Sequence, residues 1–185
     1  MRFSACPLQG VVVIEPDVHR DPRGFFLETY NAKRYRANGV PLVFVQDNHS
    51  LSARDTLRGL HLQLRKPQGK LVRVIQGEIW DVAVDIRPES PTFKQWCSVV
   101  LSAENFKQVY IPPGYAHGFC VLSETAQVEY KCTEFYDPAD ERGIIYNDPE
   151  LAVAWPIANP LLSTRDLANP TLAELLAATR DSARR

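Results

Sequence analysis

Histidine exchanges a proton close to neutral pH, so the four histidines of this chain are its first candidates for acid–base chemistry. Two of them, His61 and His117, stand in short runs with the composition of β-strands. Around His61 the residues alternate between the two faces of a strand. One face would carry Arg58, Leu60, Leu62 and Leu64, and the other Gly59, His61 and Gln63. Either face could line a cavity, and a lone strand histidine is more often structural.

A second group of candidates combines a phenol with a cation. Tyr130 would share a strand face with Val128 and Cys132, and the same alternation extends to Tyr136. Lys70 begins another β-like run, directly after a glycine. A phenol can donate a proton and an ammonium can stabilise an oxyanion. Two core tyrosines and a solvated edge lysine would look the same in the sequence.

The elements that must position these residues are short strands bounded by turn residues, which is the pattern of an all-β protein. The β-like runs are Val11–Ile14, Phe25–Tyr30, Leu42–Gln46, Thr56–Leu64, Lys70–Gln76, Glu78–Ile86, Trp96–Leu101, Val109–Ile111, His117–Leu122 and Gln127–Phe135. Two helices are expected at Ala32–Asn38 and at Leu172–Thr179, the second with Thr171 and Glu174 as a capping box. We therefore predict one domain, residues 1–185, with an antiparallel double-sheet jelly roll and short peripheral helices (the last at about 171–180).

Composition limits the classes of function. The chain has 185 residues, 45% of them apolar, and 21 basic against 22 acidic side chains, which gives a net charge of −1. That balance argues against a general nucleic-acid binder. No apolar run is long enough to cross a membrane and no secretory signal is apparent, so we expect a cytoplasmic protein. Its four cysteines form no C-x-x-C pair and are expected to be small buried residues rather than a disulfide framework.

The two histidine segments resemble the two motifs of the cupin superfamily. Metal-binding cupins carry an H-x-H pair, a nearby glutamate and a later histidine. Here Gln63 takes the place of the second histidine, and Pro67 or Gln68 stands where the carboxylate belongs. Two imidazoles leave a transition metal short of its usual three or four protein ligands. We expect no metal, and since no G-x-G-x-x-G fingerprint or P-loop is present, no other cofactor.

In sequence order, the motifs closely resemble the dTDP-4-dehydrorhamnose 3,5-epimerase family. The matching segments are Asp21–Phe26 with Glu28, Gln46–Ser50, Leu57–His61, Gly69–Val72, Gly77, Asp81–Val82, Ser90–Phe93, Pro113–Phe119, Tyr130–Lys131, Asn147–Pro149, Trp155–Pro156 and Leu162–Asp166. The resemblance spans roughly residues 8 to 168. Only the C-terminal helix lies outside it.

The resemblance implies a role for each matching position. His61 would be the base, Asp166 the carboxylate that orients it, Tyr130 the acid and Lys70 the cation beside the enolate. The positions implied to bind the nucleotide sugar are Arg23, Phe26, Glu28, Gln46, Asn48, Arg58, Lys70, His117, Tyr136, Glu141 and Arg165, with Tyr136 stacked on thymine. Arg165 departs from the family, which usually has lysine there. The family forms homodimers in which the segment Arg23–Glu28 reaches the site of the other subunit.

The implied reaction is epimerisation of a dTDP-4-keto-6-deoxyhexose at C3 and C5 through enolate intermediates. Three alternatives remain open: an epimerase that acts at one carbon, a sugar-binding jelly roll without catalysis, and a metal-dependent cupin oxygenase. Counting deuterons incorporated from D2O at both carbons, together with metal analysis, separates these functions.

Overall fold

The structure is a computed structural model that describes residues 1–40 and 43–183. The strands are β1 Arg2–Ala5, β2 Val12–Glu15, β3 Val18–Asp21, β4 Gly24–Leu27, β5 Gln46–Ala53, β6 Leu57–Gln63, β7 Lys70–Gln76, β8 Glu78–Asp85, β9 Trp96–Ser102, β10 Gln108–Ile111, β11 Tyr115–Val121, β12 Thr125–Cys132 and β13 Glu141–Gly143. The helices are α1 Ala32–Ala37, α2 Thr164–Leu167 and α3 Leu172–Ala183.

Two antiparallel sheets face each other. One has six strands in the order β1-β2-β10-β7-β12-β5, and the other has five in the order β13-β6-β11-β8-β9. Strands β3 and β4 pair only with each other and form a separate hairpin. The predicted double-sheet jelly roll is confirmed.

The space between the two sheets is apolar at one end. There Val72 and Val128 of the six-stranded sheet pack against Ile79 and Val121 of the five-stranded sheet. Tyr130 packs against this cluster and also lines the polar cavity next to it. The apolar end therefore holds the sheets together and leaves room for a site at the other end.

The outer face of the five-stranded sheet is also buried, and this determines which way His61 points. Leu60 and Leu62 pack there with Val82 of β8, beneath Leu172 and Leu175 of α3. Because the leucines face outward, His61 between them faces the space between the sheets. On the six-stranded sheet, helix α1 covers the outer face in the same way.

Arg58 corrects one prediction, because it does not share a face with the leucines. His117 of β11 pairs with His61, but Phe119 pairs with Arg58, so β6 has one residue more than β11 over this stretch. Such a bulge reverses the alternation of faces, and Arg58 lines the cavity together with His61. The bulge requires glycine at position 59, because a Cβ there would lie only 2.6 Å from the Cα of Gly118 on the paired strand.

Most of the predicted strands are present, with bounds that differ by at most three residues, and Lys70–Gln76 has the predicted bounds. The run Leu42–Gln46 is wrong as a strand: Leu42 lies outside the described residues, and strand β5 begins at Gln46 and continues to Ala53. Helix α3 begins as predicted, with the Thr171 hydroxyl and the Glu174 carboxylate forming the capping box. Among the described helices, none is long and apolar enough to cross a membrane.

The cysteines divide into two pairs. Cys120 and Cys132 are buried free thiols, as expected. Cys6 and Cys97, in contrast, form a disulfide, which corrects the prediction of four reduced side chains. The sequence concealed this pairing because the two residues are 91 positions apart and meet only where β9 lies next to the segment that follows β1.

Candidate functional site

A polar cavity of about 330 Å³ lies between the sheets, beyond the apolar core. Both sheets supply its walls. Its lining residues are Gln46, Asn48, Ser50, Arg58, His61, Gln68, Lys70, His117, Phe119, Tyr130, Tyr136, Glu141 and Arg165. The structure thus brings together ten of the residues implied by the sequence, from segments more than 100 positions apart.

His61 and Asp166 form a hydrogen-bonded pair. Nε2 of His61 lies 2.6 Å from Oδ1 of Asp166. The other oxygen of Asp166 accepts from the hydroxyl of Ser163, which also caps the short helix α2. Burial raises the pKa of Asp166, but the hydrogen bonds from His61 and Ser163 and the nearby positive charges outweigh that effect and hold it below its usual value. An ionised Asp166 can only accept, so Nε2 carries the proton and Nδ1 keeps a lone pair.

A second histidine–carboxylate pair lies beside the first. His117 is the cross-strand neighbour of His61, and its Nε2 lies 2.8 Å from Oδ2 of Asp81. Both members of this pair are buried. Asp81 was part of a matched motif but was not predicted as a site residue; in the structure it shares the inner face of β8 with Ile79 and Ala83.

Lys70 and Tyr130 stand on the opposite wall, on the paired strands β7 and β12. The ammonium of Lys70 lies 5.8 Å from the centre of the Tyr130 ring. Desolvation in the cavity lowers the pKa of Lys70, against the opposing influence of Cys132, Glu141 and Asp81. Burial raises the pKa of Tyr130, so its phenol stays protonated at neutral pH. This wall therefore presents a proton donor next to a cation.

The mouth of the cavity is built around Glu141, which bridges two neighbours. Its Oε2 accepts from the hydroxyl of Tyr136 at 2.7 Å and from Arg165 at 2.5 Å. The backbone N–H of Tyr136 donates to Gln46, whose amide in turn donates to Asn48. Aromatic, amide and charged groups thus meet where a planar polar ring could bind.

Arg58 adds positive charge to the same wall as His61. Its Nε donates to the hydroxyl of Ser52 at 3.0 Å, which holds the guanidinium at the edge of the cavity. Arg58, Lys70 and Arg165 give the cavity three cations, although the net charge of the chain is −1. Guanidinium groups suit phosphate oxygens, which they can bind in pairs.

Arg23, Phe26 and Glu28 are not brought to this cavity. Arg23 pairs with Asp21 in the β3–β4 hairpin, and its side chain is 90% exposed. Phe26 is 73% exposed, and Glu28 contacts Asn31 and Arg34 close to α1. Within this chain these three predicted binding residues stay outside the site: Arg23 and Phe26 belong to a hairpin that pairs with neither main sheet, and Glu28 follows directly after it.

Three lining residues were not predicted: Ser50, Gln68 and Phe119. Two could have been found by alternation, since Ser50 follows Gln46 and Asn48 at two-residue steps along β5, and Phe119 follows His117 along β11. Gln68 lies in the loop before Lys70, where alternation gives no signal.

Among the residues that the structure describes, no group of three or more His, Cys, Asp or Glu side chains is placed to hold a metal ion. Gln63, at the position of a cupin ligand, does not line the cavity. Its amide is hydrogen bonded to the backbone of neighbouring loops.

Comparison with known proteins gives matches over nearly the whole chain. A family model described as dTDP-4-dehydrorhamnose 3,5-epimerase matches residues 5–174. The dTDP-4-dehydrorhamnose 3,5-epimerase of Pseudomonas aeruginosa is 52% identical over 176 residues, which cover 94% of this chain and 97% of that protein. A dTDP-4-dehydrorhamnose 3-epimerase of Streptomyces niveus is 42% identical, over 94% of this chain and 85% of that one.

The fold is matched as closely. The crystal structure of a dTDP-6-deoxy-D-glucose-3,5-epimerase from Legionella pneumophila, in complex with dTDP-4-keto-L-rhamnose, superimposes with a TM-score of 0.92. Its sequence is 48% identical, and the match covers 96% of this chain and 95% of that one.

Proposed function

Because this chain belongs to the dTDP-4-dehydrorhamnose 3,5-epimerase family, it is an isomerase, and we propose how its residues carry out the reaction. The substrate is dTDP-4-dehydro-6-deoxy-D-glucose and the product is dTDP-4-dehydro-L-rhamnose, an intermediate of dTDP-L-rhamnose biosynthesis. The observation that carries the proposal is the division of the cavity: the His61–Asp166 pair stands on one wall, and Tyr130 with Lys70 on the other.

Proton removal is assigned to His61. The hydrogens at C3 and C5 are both α to the C4 carbonyl, so a single base can take either one in turn. Nδ1 accepts the proton from carbon, the C–H electron pair forms the C=C bond of the enolate, and the carbonyl electrons move to O4. Asp166 stabilises the imidazolium that results.

Lys70 is assigned to the oxyanion at O4. Its ammonium is desolvated by burial between the sheets, so its positive charge acts more strongly there than on a surface. Its lowered pKa also makes it a better hydrogen-bond donor toward a developing oxyanion.

Inversion requires that a proton return to the face opposite the base. Tyr130 lies on the opposite sheet from His61 and keeps its phenolic proton at neutral pH. It donates that proton to carbon as the enolate collapses back to the ketone. The phenolate is then reprotonated from solvent, and His61 releases its proton, so the cycle balances.

The remaining residues are assigned to the nucleotide. Tyr136 with Gln46 and Asn48 would take the thymine ring, while Arg58 and Arg165 would face the diphosphate. Glu141 holds Tyr136 and Arg165 in place. His117, kept in one orientation by Asp81, would contact the sugar beside His61.

The protein acts as a homodimer in this proposal. The β3–β4 hairpin is paired with neither main sheet and exposes Phe26, as expected of a segment that packs on another subunit. Arg23, Phe26 and Glu28 of one subunit would then complete the site of the other.

We also propose a cytoplasmic location, because nucleotide sugars are built from intracellular nucleoside triphosphates. The Cys6–Cys97 disulfide is unusual for a reducing compartment. Titration of the thiols in denatured protein purified without reductant tests whether this disulfide forms: two free thiols would support it, and four would contradict it.

The test of function is incubation with dTDP-4-dehydro-6-deoxy-D-glucose in D2O, followed by NMR. Incorporation of deuterium at both C3 and C5, with formation of the L-rhamno product, is expected. Incorporation at C3 alone would support the second candidate, a single-carbon epimerase. The similarity of this chain to the Streptomyces niveus 3-epimerase is the observation that favours this candidate. Tight binding without any exchange would show a sugar-binding protein instead.

A further inference from the structure

Gln63 makes three hydrogen bonds with two loops at the mouth of the cavity. Its Nε2 donates to the carbonyl oxygens of Lys66, at 2.8 Å, and Phe135, at 3.2 Å. Its Oε1 accepts from the backbone N–H of Asp137 at 2.9 Å. The side chain is 5% exposed, so both donors and the acceptor are used inside the protein.

Two of these contacts flank one functional residue. Phe135 and Asp137 are the neighbours of Tyr136, so Gln63 holds the backbone on either side of it. The N–H of Tyr136 itself donates to Gln46 at 2.8 Å. Gln46 belongs to the six-stranded sheet and Gln63 to the five-stranded sheet. The backbone of Tyr136 is therefore fastened to both walls of the cavity by two glutamine side chains.

This fastening matters because no strand supports the segment. Strand β12 ends at Cys132, and β13 begins only at Glu141. A loop that must become ordered when ligand binds lowers the affinity, whereas a loop ordered in advance does not. Gln63 orders the loop without touching the reacting groups, since it does not line the cavity.

We infer that Gln63 is a positioning residue, which fixes the loop of Tyr136 so that its ring is oriented in advance for the nucleobase. The inference rests on the proposed role of Tyr136 in binding thymine. Gln63 stands at the position where metal-binding cupins have a ligating histidine. In this chain the side chain at that position binds the loop backbone through hydrogen bonds instead of binding a metal.

The experiment compares three variants with the wild type. Gln63→Met keeps the size of the side chain and removes all three hydrogen bonds. Gln63→Glu keeps the acceptor for Asp137 and loses the two donors, and it carries the test if the methionine variant does not fold. Gln127→Met is the matched control, because the Gln127 amide bonds Gln76 at the sheet surface, outside the cavity.

Three measurements are made on each variant: amide hydrogen exchange of Tyr136 and Asp137 by NMR, the Kd for dTDP, and steady-state kcat and KM. For Gln63→Met we expect faster exchange at both amides, a Kd and a KM raised about tenfold or more, as for loss of one base-stacking contact, and kcat within about threefold of wild type. The control should match wild type in all three.

A double-mutant cycle with Tyr136→Ala decides whether Gln63 acts through Tyr136. We expect Gln63→Met to weaken dTDP binding far less when Tyr136 is already absent. Unchanged amide exchange, a fall in kcat at constant Kd, or additive losses in the cycle would each overturn the inference. If Tyr136→Ala alone leaves the Kd unchanged, the proposed role of Tyr136 in binding thymine is wrong. Amide exchange in Gln63→Met then still tests whether Gln63 orders the loop.

Discussion

His61 and His117 lie directly opposite each other on the paired strands β6 and β11, and each is hydrogen bonded to its own aspartate. The two pairs differ in access. The side chain of His61 is 25% exposed toward the cavity, whereas that of His117 is 7% exposed. Both histidines line the cavity, but His61 is the more exposed of the two, and we therefore assign the base to it.

The first prediction concerns that base. His61→Ala should abolish deuterium exchange at both C3 and C5, because one base serves both carbons, with a loss of at least about 10²-fold. The measurement is NMR in D2O, with His49→Ala as the control, since His49 bonds Gln127 away from the cavity. Exchange retained at either carbon would remove His61 from that step.

The second prediction tests the orientation of His61. Asp166→Asn replaces an acceptor by a group that can donate to Nε2, which would move the proton to Nδ1 and leave no lone pair for the substrate. We expect turnover to fall by about 10²–10⁴-fold in a protein that stays folded. Asp148→Asn is the control: it removes a buried carboxylate that accepts from the N–H of Leu172, and it should lower Tm but not kcat. Normal turnover in Asp166→Asn would refute the pairing.

The third prediction separates proton removal from proton return. Tyr130→Phe keeps the ring and removes the hydroxyl, so deuterium should still enter at C3 while the doubly inverted product forms about 10²–10⁴-fold more slowly. Tyr110→Phe, which removes another buried hydroxyl outside the cavity, should behave as wild type. A normal rate of double inversion would show that water or another side chain supplies the proton.

The fourth prediction is a pH dependence. Because desolvation lowers the pKa of Lys70 below the usual 10.5, the ammonium loses its proton at a lower pH than a free lysine does. The kcat should therefore fall on the alkaline side before pH 10.5. Tyr130 does not explain such a decline, because its own pKa is raised.

The variants that check this prediction are Lys70→Arg and Lys131→Arg. Arginine stays charged throughout the alkaline range in which the decline is expected, so Lys70→Arg should remove the decline, at some cost in kcat from the altered geometry. Lys131 pairs with Asp47 on the outer surface, and its replacement should leave the profile unchanged. A decline that persists in Lys70→Arg and disappears in Tyr130→Phe would assign it to the tyrosine.

The fifth prediction concerns the hairpin. Arg23→Ala and His61→Ala should each be impaired alone, but a mixture allowed to exchange subunits should recover activity. In a mixed dimer the chain with intact His61 would receive Arg23 from the other subunit, giving about a quarter of wild-type activity at equal amounts. His61→Ala mixed with Asp166→Asn should recover nothing, because both residues serve the same site of the same chain. Equal recovery in both mixtures, or in neither, would contradict the exchange of hairpins.

The sequence predicts the two-sheet architecture well, but it predicts less well which face of each strand points into the barrel. Strand β8 is buried on both sides, so alternation around Val82 identifies two faces without indicating which one looks into the barrel. The bulge between Gly59 and Gly118 then moves Arg58 to the face of His61, and no pattern of apolar residues reveals that extra step.

Strand β5 shows a second limit. The apolar run predicted as a strand ends at Gln46, which is where the observed strand begins. Gln46, Asn48 and Ser50 are polar because they line a polar cavity, so hydrophobicity gives no strand signal there. The candidate site residues were predicted from motif order, and four of them do not line the cavity: Arg23 and Phe26 of the hairpin, Glu28 just after it, and Asp166, which is hydrogen bonded to His61.

The packing at the apolar end of the barrel determines the distance between the two sheets at the polar end. His61 and Tyr130 belong to different sheets, so the gap that a sugar ring must fit is the gap between the sheets, and side chains such as Val128 and Val121 act as a spacer that fixes its width. A core substitution that changes the distance between the sheets is therefore expected to change turnover, although the substituted side chain never contacts the substrate. The volume of the core thus helps to determine which sugar rings fit between the two sheets.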